Sequence, residues 1–446
     1  MPLSNRSTLS RTARSTRLST VIVCILVLAC GSEADTRDAT TSGSDDFAAN
    51  YDEALIPDYT LPDPLVSLSG AHVTDVDTWR TVRRPEILAS YEQHVFGETP
   101  KGPFETSTEV LSAEPALAGV AIRKEVRVQL TADPAGPAFI ILLYLPNSAS
   151  GPTPTFLALN FYGNASVHAD PDITLSAEWM RQNDDFGIVD NRATEATRGA
   201  RSSRWPVERI LERGYGLATL YYGDIDPDYD DGFENGVHPY FNDVVGGPNS
   251  WSSIGAWSWG LSRAMDYLVT DADVDPDQVM VMGHSRLGKA ALWAGAQDER
   301  FAIVISNDSG AGGAALSRRA YGETVARIND VFPHWFNPVF KRYGENESEL
   351  PVDQHMLLSL VAPRPLYVAS AIEDRWADPR GEFLSARHAG PVYQLFGEDP
   401  LPVEEWPDVG TPVMGTVGYH VRAGGHDVLP YDWERFMDFA DKHLRG

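Results

Sequence analysis

Residues 279–289, VMVMGHSRLGK, have the composition of a nucleophilic serine on a sharp turn. Ser285 follows a short apolar run that ends at Gly283, and the alanine-rich stretch after it favours a helix. In a nucleophile elbow, such a strand–turn–helix exposes the serine and places helix N–H groups where an oxyanion develops. The common elbow has glycine at its fifth position, but here Leu287 stands there and glycine follows at Gly288. The pattern predicts acyl transfer by Ser285.

A histidine that could activate this serine lies near the end of the chain. His426 is in Gly424-Gly425-His426-Asp427, between a predicted strand (416–422) and a predicted final helix (432–444). Serine hydrolases of the α/β class carry their histidine after the last core strand, and the glycines allow the loop to aim it. We therefore predict that His426 is the general base.

The acid that orients this histidine has two candidate positions. Asp308 follows a predicted strand (302–306), and the pair Glu373-Asp374 follows another one (365–371). Either choice keeps the chain order serine, acid, histidine. Each has a structural alternative, because Asp308 could cap a helix and Glu373 could pair with Arg375.

Strands that alternate with helices must position these residues. Their order predicts an α/β fold with a mainly parallel sheet, helices on both faces and chemistry at the carboxyl ends of the strands. Predicted strands are 119–130, 138–145, 155–160, 217–222, 279–282, 302–306, 365–371 and 416–422; predicted helices are 76–96, 206–213, 254–270 and 432–444.

Composition excludes several classes of protein. The formal net charge of −27 leaves no basic surface for nucleic acid. Both cysteines, Cys24 and Cys30, precede the predicted folded part, which excludes a disulfide scaffold, a cysteine nucleophile and a thiolate metal site there. We expect no metal and no cofactor. The acidic stretch 223–232 fails the EF-hand pattern, so we predict a solvated loop there.

The N-terminus has the pattern of an export signal. Four arginines and no acid occupy residues 1–20, and VIVCILVLA follows at 21–29, which is too short to cross a membrane. The sequence before Cys30 resembles a bacterial lipobox, so we expect a signal at 1–29 and a lipid on Cys30. Ordinary cleavage, giving a periplasmic or secreted protein, is the alternative. Small, polar and acidic residues at 30–50 predict a flexible tether, and 51–446 a single catalytic domain.

Several motifs together resemble one enzyme family. The elbow from Gly283 to Lys289 matches G-x-S-R-x-G-K, and SGAGG (309–313), LPVDQH (350–355) and Trp335 match as well. The chain is thereby identified as similar to bacterial glucuronoyl esterases of carbohydrate esterase family 15. The similarity covers about residues 51–446 and implies an α/β-hydrolase fold that needs no metal.

The resemblance also implies roles for residues of this chain. It makes Ser285 the nucleophile, His426 the general base and Arg286 an oxyanion donor. The contacts to uronate hydroxyls would come from Lys289, Glu323 and Trp335. Fungal members have cysteine in place of His284 and glutamate in place of Asp308. The shorter side chain of Asp308 leads us to favour Glu373 as the acid, with Asp308 as the next candidate.

The function implied is cleavage of esters of (4-O-methyl)glucuronic acid in glucuronoxylan, including its ester links to lignin alcohols. We expect an exported monomer, anchored to the outer membrane or cell surface only through the Cys30 lipid. An acetyl xylan or other carbohydrate esterase on the same scaffold is the alternative. A non-catalytic polysaccharide-binding lipoprotein is a third possibility, against which Ser285, His426 and the candidate acids argue.

Overall fold

The structure is a computed structural model that describes residues 47–102, 104–241, 247 and 249–445. The predicted signal at 1–29, Cys30 and the tether up to residue 46 lie outside the described residues. Within the described ranges, no helix combines the length and apolar character that crossing a membrane requires.

A ten-stranded sheet forms the centre of the molecule. Its strands lie in the order β1-β2-β3-β7-β4-β8-β9-β10-β12-β11. Neighbouring strands from β7 through β12 are parallel, whereas β1, β2, β3 and β11 pair antiparallel. The strands are β1 Ser107–Ala116, β2 Ala121–Gln129, β3 Ala138–Pro146, β4 Thr153–Asn160, β7 Gly216–Tyr221, β8 Val274–His284, β9 Ile303–Asn307, β10 Leu366–Ala371, β11 Val413–Met414 and β12 Val417–Arg422; β5 Ile188–Val189 and β6 Arg192–Ala193 form a separate hairpin.

Helices lie on both sides of this sheet. They are α1 Arg84–Tyr91, α2 Val207–Glu212, α3 Ser253–Leu268, α4 Arg286–Gln297, α5 Val325–Val331, α6 Gln354–Ser359, α7 Pro379–His388, α8 Gly390–Leu395 and α9 Pro430–Leu444. Further helical turns extend α1 on both sides, at Val76–Thr78 and Trp79–Arg83 before it and at Glu92–Phe96 after it.

Alternation of side chains along the strands explains the layers, because successive residues of a strand point to opposite faces. On β8, Val279 and Val281 belong to a core that also contains apolar residues of α3 and α4. Met280 and Met282 belong to the second core, with apolar residues of α2 and α9. The chain therefore has the helix–sheet–helix layers that the strand order predicted, with a buried core on each face of the sheet, as in the α/β-hydrolase fold that the resemblance implied.

Each predicted strand and helix is present, with ends that differ by a few residues except at β8, which starts five residues earlier. Strand β1 was missed because it is mostly exposed and carries few apolar side chains. Helices α5 to α8 were also missed. They are short, from six to ten residues, and they lie in long connections between strands.

The predicted boundary between tether and domain is too late. Residues 47–50 were assigned to the flexible tether, but the Phe47 ring contacts Trp376 at 6.0 Å between centroids. The backbone oxygen of Asn50 accepts a hydrogen bond from Gly322 N at 2.9 Å. These residues are therefore packed on the folded body.

Candidate active site

Ser285 lies on a strained turn between β8 and α4. Its backbone has φ 58° and ψ −131°, a conformation rare for a residue with a side chain and typical of a nucleophile elbow. The two glycines make the turn possible. A Cβ atom at Gly283 would lie 2.0 Å from the Leu287 oxygen, and one at Gly288 would lie 2.9 Å from Ser309 Cβ. The glycine displaced to position 288 thus serves close packing under the nucleophile.

His426 lines the cavity that Ser285 also lines, and an acidic side chain contacts its imidazole ring. Its Nδ1 atom lies 2.6 Å from Oδ2 of Asp374, within reach of a strong charge-assisted hydrogen bond. An Nδ1–H that donates to this carboxylate leaves Nε2 as the nitrogen that can exchange a proton with the serine. Ser285, His426 and Asp374 all line the same cavity, so the structure brings to one place the three residue types of a serine hydrolase triad.

The preference for Glu373 as the partner of His426 was wrong. Glu373 is exposed, and its Oε1 accepts a hydrogen bond from Gly424 N at 3.3 Å instead. Asp374, one residue later, is buried and reaches the imidazole. The tight turn after β10 directs adjacent side chains apart, so Glu373 clamps the histidine loop from outside while Asp374 contacts the ring.

Asp308 also lies close to this pair. A carboxylate oxygen of Asp308, a carboxylate oxygen of Asp374 and a ring nitrogen of His426 all lie within 4.8 Å of one another. Burial and the neighbouring Asp374 raise the pKa of Asp308 well above its ordinary value. This shift disfavours the charged form of Asp308, although Arg422, whose guanidinium lies 3.4 Å from the carboxylate, opposes it. Together with the short contact to Nδ1 of His426, it makes Asp374 the better candidate for the charged partner.

These three residues are also the one group of the described part of the chain that could hold a metal ion. Nδ1 of His426 already bonds to Asp374, and a ligated imidazole could not carry a proton to and from the serine. The donor set accordingly fits proton transfer better than metal binding.

Arg422, which the sequence analysis did not single out, supports the histidine loop. This buried side chain donates to the backbone oxygens of Ala423 and Gly425, each at 3.1 Å, and to that of Asp427. Its Nε also donates to both carboxylate oxygens of Asp432, at 3.0 and 2.9 Å. An arginine at the end of a core strand, beside the candidate histidine, was the signal that could have revealed it.

The acidic stretch 223–232 is only partly a solvated loop, which corrects the sequence prediction. Asp230 is exposed and Asp231 is half-buried, but Asp226 and Asp228 are buried. Four donors surround the Asp228 carboxylate at hydrogen-bond distance: Tyr222 at 3.0 Å, Arg286 at 2.9 Å, His334 at 2.9 Å and Trp335 at 2.7 Å. Asp228 is thus a buried anchor behind the nucleophile.

The charge of Asp228 is compensated from several sides. Burial alone would raise the pKa of this carboxyl, but Arg286, His334 and Arg181 outweigh burial and keep it well below the ordinary value. Asp228 in turn fixes Arg286. The Arg286 guanidinium also lies 4.8 Å from the Trp335 ring centre. A guanidinium held in this way can stabilise developing charge without reorganising.

Trp335 lines the cavity, but its polar atom is already engaged. It is 3% exposed, its Nε1 donates to Asp228, and its ring stacks on Phe332 at 3.7 Å between centroids. The structure therefore places the ring of Trp335, and not its N–H group, where a substrate could meet it.

Lys289, one helical turn after Ser285, and Glu323 form a charged pair, here called the polar floor. Their charged atoms lie 3.9 Å apart, and Lys289 Nζ also donates to the Ser309 oxygen. Burial lowers the pKa of Lys289 and raises that of Glu323, and each partner opposes the shift of the other. The backbone oxygen of Trp376, which sequence reasoning missed, accepts a hydrogen bond from Glu323 N at 3.0 Å.

All eight predicted site residues border one cavity of about 390 Å³, a volume that suits a sugar-sized ligand. Asp374, the second residue of the candidate pair, and Trp376, which the sequence did not point to, border it too. Its lining combines aromatic rings with a few charged groups, as ligand pockets generally do.

We predict that Asp228→Asn destabilises the protein. The substitution removes the carboxylate charge that compensates Arg286 and Arg181 and leaves buried donors poorly paired, which typically costs about 3–5 kcal/mol. Urea unfolding of both proteins measures this loss. Asp230→Asn, on the exposed part of the same loop, is the matched control and should keep wild-type stability. Equal stability of the two variants would contradict the anchor role.

Comparison with known proteins shows which enzymes this chain is similar to. The sequence model of a family described as fungal glucuronyl esterase matches residues 211–397. A carbohydrate esterase, MZ0003, from an unknown prokaryotic organism is 48% identical over 400 residues, which are 89% of this chain and 92% of that one.

Solved structures agree with this. A promiscuous CE15 esterase from a marine bacterial metagenome is 48% identical, with a TM-score of 0.85 over 89% of this chain and all of that one. The glucuronoyl esterase from Solibacter usitatus is 49% identical, with a TM-score of 0.83 over 88% of this chain and all of that one. Sequence and structure thus match the same kind of protein along most of the chain.

Proposed function

Because this chain belongs to carbohydrate esterase family 15, the glucuronoyl esterases, we propose that it hydrolyses esters of glucuronic acid by a serine acyl-enzyme mechanism. The observation that carries this proposal is the His426–Asp374 hydrogen bond beside Ser285, in a cavity that also holds Arg286 and the Lys289–Glu323 pair. The natural substrate that we propose is the (4-O-methyl)glucuronate ester of glucuronoxylan, including its links to lignin alcohols.

The first step of the proposed reaction is acylation. His426 takes the proton of Ser285, whose Oγ attacks the ester carbonyl carbon, and Asp374 stabilises the imidazolium that forms. Arg286 and N–H groups at the start of α4 stabilise the tetrahedral oxyanion. His426 then gives the proton to the alcohol oxygen, the ester bond breaks, and the glucuronoyl group remains on Ser285.

Deacylation repeats these events with water. His426 removes a proton from the water as it attacks the acyl carbon, and returns the proton to Ser285 when glucuronate leaves. No redox step and no external group are required, because the ester is cleaved to one acid and one alcohol.

The polar floor supports a uronate as the acyl part. A sugar ring offers several hydroxyl groups, and the buried Lys289 and Glu323 provide a donor and an acceptor at one end of the cavity. Each would lose its water on binding, so a substrate without matching hydroxyl groups would leave these charges poorly paired. The floor therefore favours esters that carry a hydroxylated ring.

An ester panel tests this proposal against the alternative of an acetyl esterase, which the promiscuity of the metagenomic CE15 esterase raises. Wild-type enzyme is assayed for glucuronate release from benzyl glucuronate and for acetate release from acetylated xylan, with 4-nitrophenyl acetate as a simple ester. We expect the highest kcat/KM on benzyl glucuronate. Hydrolysis confined to the two acetate substrates would reject the uronate specificity.

We also propose export and anchoring through a lipid on Cys30. Support comes from the arginine-rich start, the apolar run at 21–29 and the lipobox-like residues before Cys30. Expression in a bacterial host with labelled palmitate tests the idea. Label and membrane association should be present in wild type and absent from Cys30→Ser, whereas equal labelling of both would reject lipidation.

A further inference from the structure

The segment formed by residues 47–53, here called the N-terminal strap, crosses the rim of the cavity before the fold begins. Salt bridges fix its end, because Glu53 lies 2.8 Å from Arg319 and 3.2 Å from Arg380. Its middle is fixed by the hydrogen bond from Gly322 N to Asn50 O at 2.9 Å. The strap is therefore a packed part of the molecule.

Aromatic contacts hold the strap on the turn that follows β10. The guanidinium of Arg375 lies 4.7 Å from the Tyr51 ring centre and donates to the Tyr51 backbone oxygen. Tyr51 and Tyr321 meet edge to face at 5.9 Å between centroids, and Phe47 meets Trp376. The strap thus packs on Arg375 and Trp376, which directly follow Asp374.

Tyr51 extends from the strap into the wall of the active-site cavity. It borders the cavity together with Glu323, Asp374 and Trp376. Burial raises the pKa of Tyr51, and the nearby charges of Asp374 and Glu323 raise it further while Arg375 opposes them. The phenol therefore stays neutral and lies close to both the acid of the triad and the polar floor.

We propose that Tyr51 is a substrate-binding residue and that the strap forms the wall of the pocket that receives the glucuronate ring. This inference rests on the function proposed above. Tyr51 lies on the Glu323 side of the cavity, since Trp376 contacts the strap through Phe47 and accepts a hydrogen bond from Glu323 N at its backbone oxygen. A tyrosine suits a sugar, because its ring covers the apolar face of the pyranose and its hydroxyl group can bond to a sugar hydroxyl.

The position of the strap distinguishes this role from a structural one. Tyr51 is 38% exposed and packs on the rim instead of in either core, so its loss leaves both cores intact. Neither does it contact Ser285, His426 or Arg286 through a hydrogen bond among the contacts of the described residues. Its removal should weaken binding and leave the chemical step nearly unchanged.

Steady-state hydrolysis of benzyl glucuronate tests the proposal. Tyr51→Ala should raise KM about tenfold and change kcat less than about threefold, as expected for one lost aromatic contact. Tyr51→Phe, which keeps the ring and loses the hydroxyl group, should raise KM about threefold. Leu55→Ala is the matched control, because Leu55 is 70% exposed in the adjoining turn and does not border the cavity. It should keep the wild-type KM.

A wild-type KM in Tyr51→Ala would overturn the proposal, as would a loss of kcat at unchanged KM. Hydrolysis of benzyl glucuronate by the wild-type enzyme tests the proposed function separately. If wild type fails to hydrolyse benzyl glucuronate, the proposed function fails and this binding role fails with it. If wild type is active and the Tyr51 variants have the same KM as Leu55→Ala, the binding role of Tyr51 is rejected and the proposed function stands.

Discussion

Replacement of Ser285 by alanine is expected to lower kcat for a glucuronate ester on the order of 10⁵-fold or more. Alanine retains the Cβ atom, so the strained backbone at φ 58° is the same and only the attacking oxygen is lost. The residual rate would come from binding and from the oxyanion donors, which remain in place. Stopped assays with high enzyme concentration and long incubation measure a loss of this size.

Binding provides the control for this variant. Because Lys289, Glu323 and Tyr51 are unchanged, Ser285→Ala should still bind glucuronate with the affinity of wild type in calorimetry. Hydrolysis at more than about one hundredth of the wild-type rate would contradict the nucleophile assignment, since removing a triad nucleophile costs far more than that.

Asp374→Asn is expected to lower kcat about 10⁴-fold, because the amide keeps the shape of the carboxylate but cannot stabilise an imidazolium on Nδ1. Glu373→Gln is the matched control at the neighbouring position. Its side chain is exposed and contacts Gly424 N, so its kcat should stay within about threefold of wild type. Initial rates on benzyl glucuronate measure both.

A severe loss in Glu373→Gln with mild loss in Asp374→Asn would contradict this assignment and restore the preference drawn from the sequence. A mild loss in both single variants has a specific meaning as well. It would show that Asp308 replaces Asp374 as the partner of His426, since a carboxylate oxygen of Asp308 lies within 4.8 Å of both residues. Asp374→Asn combined with Asp308→Asn would then show the full loss.

Much of the fold follows from local patterns in the sequence. Strands β2 to β4 and β7 to β10 are apolar runs bounded by turn residues, and the sequence predicts them to within a few residues except at the start of β8. Ser285 and His426 could be predicted because a glycine-rich turn after a buried strand is a local signal with a known place in the topology.

The choice of acid could not be made in the same way. Glu373 and Asp374 are adjacent, and only the dihedral angles of the turn decide which carboxylate points inward. Asp308 was disfavoured for its length, but burial beside Asp374 is what raises its pKa, and burial depends on packing from distant parts of the chain.

Asp228 shows the same limit more clearly. Five acids between 223 and 232 predict a solvated loop, since buried charges are rare without partners. Three of its four partners, His334, Trp335 and Arg286, lie 106, 107 and 58 residues away along the chain. No local pattern reveals such an arrangement.

Trapping of the acyl-enzyme tests the central claim most directly. Wild-type enzyme is mixed with excess benzyl glucuronate, quenched with acid during the first turnovers, and digested for mass spectrometry. We expect a glucuronoyl adduct on the peptide that contains Ser285, formed as benzyl alcohol is released and lost on longer incubation without substrate. Turnover with the adduct on a different residue, or with no adduct on any peptide, would contradict it.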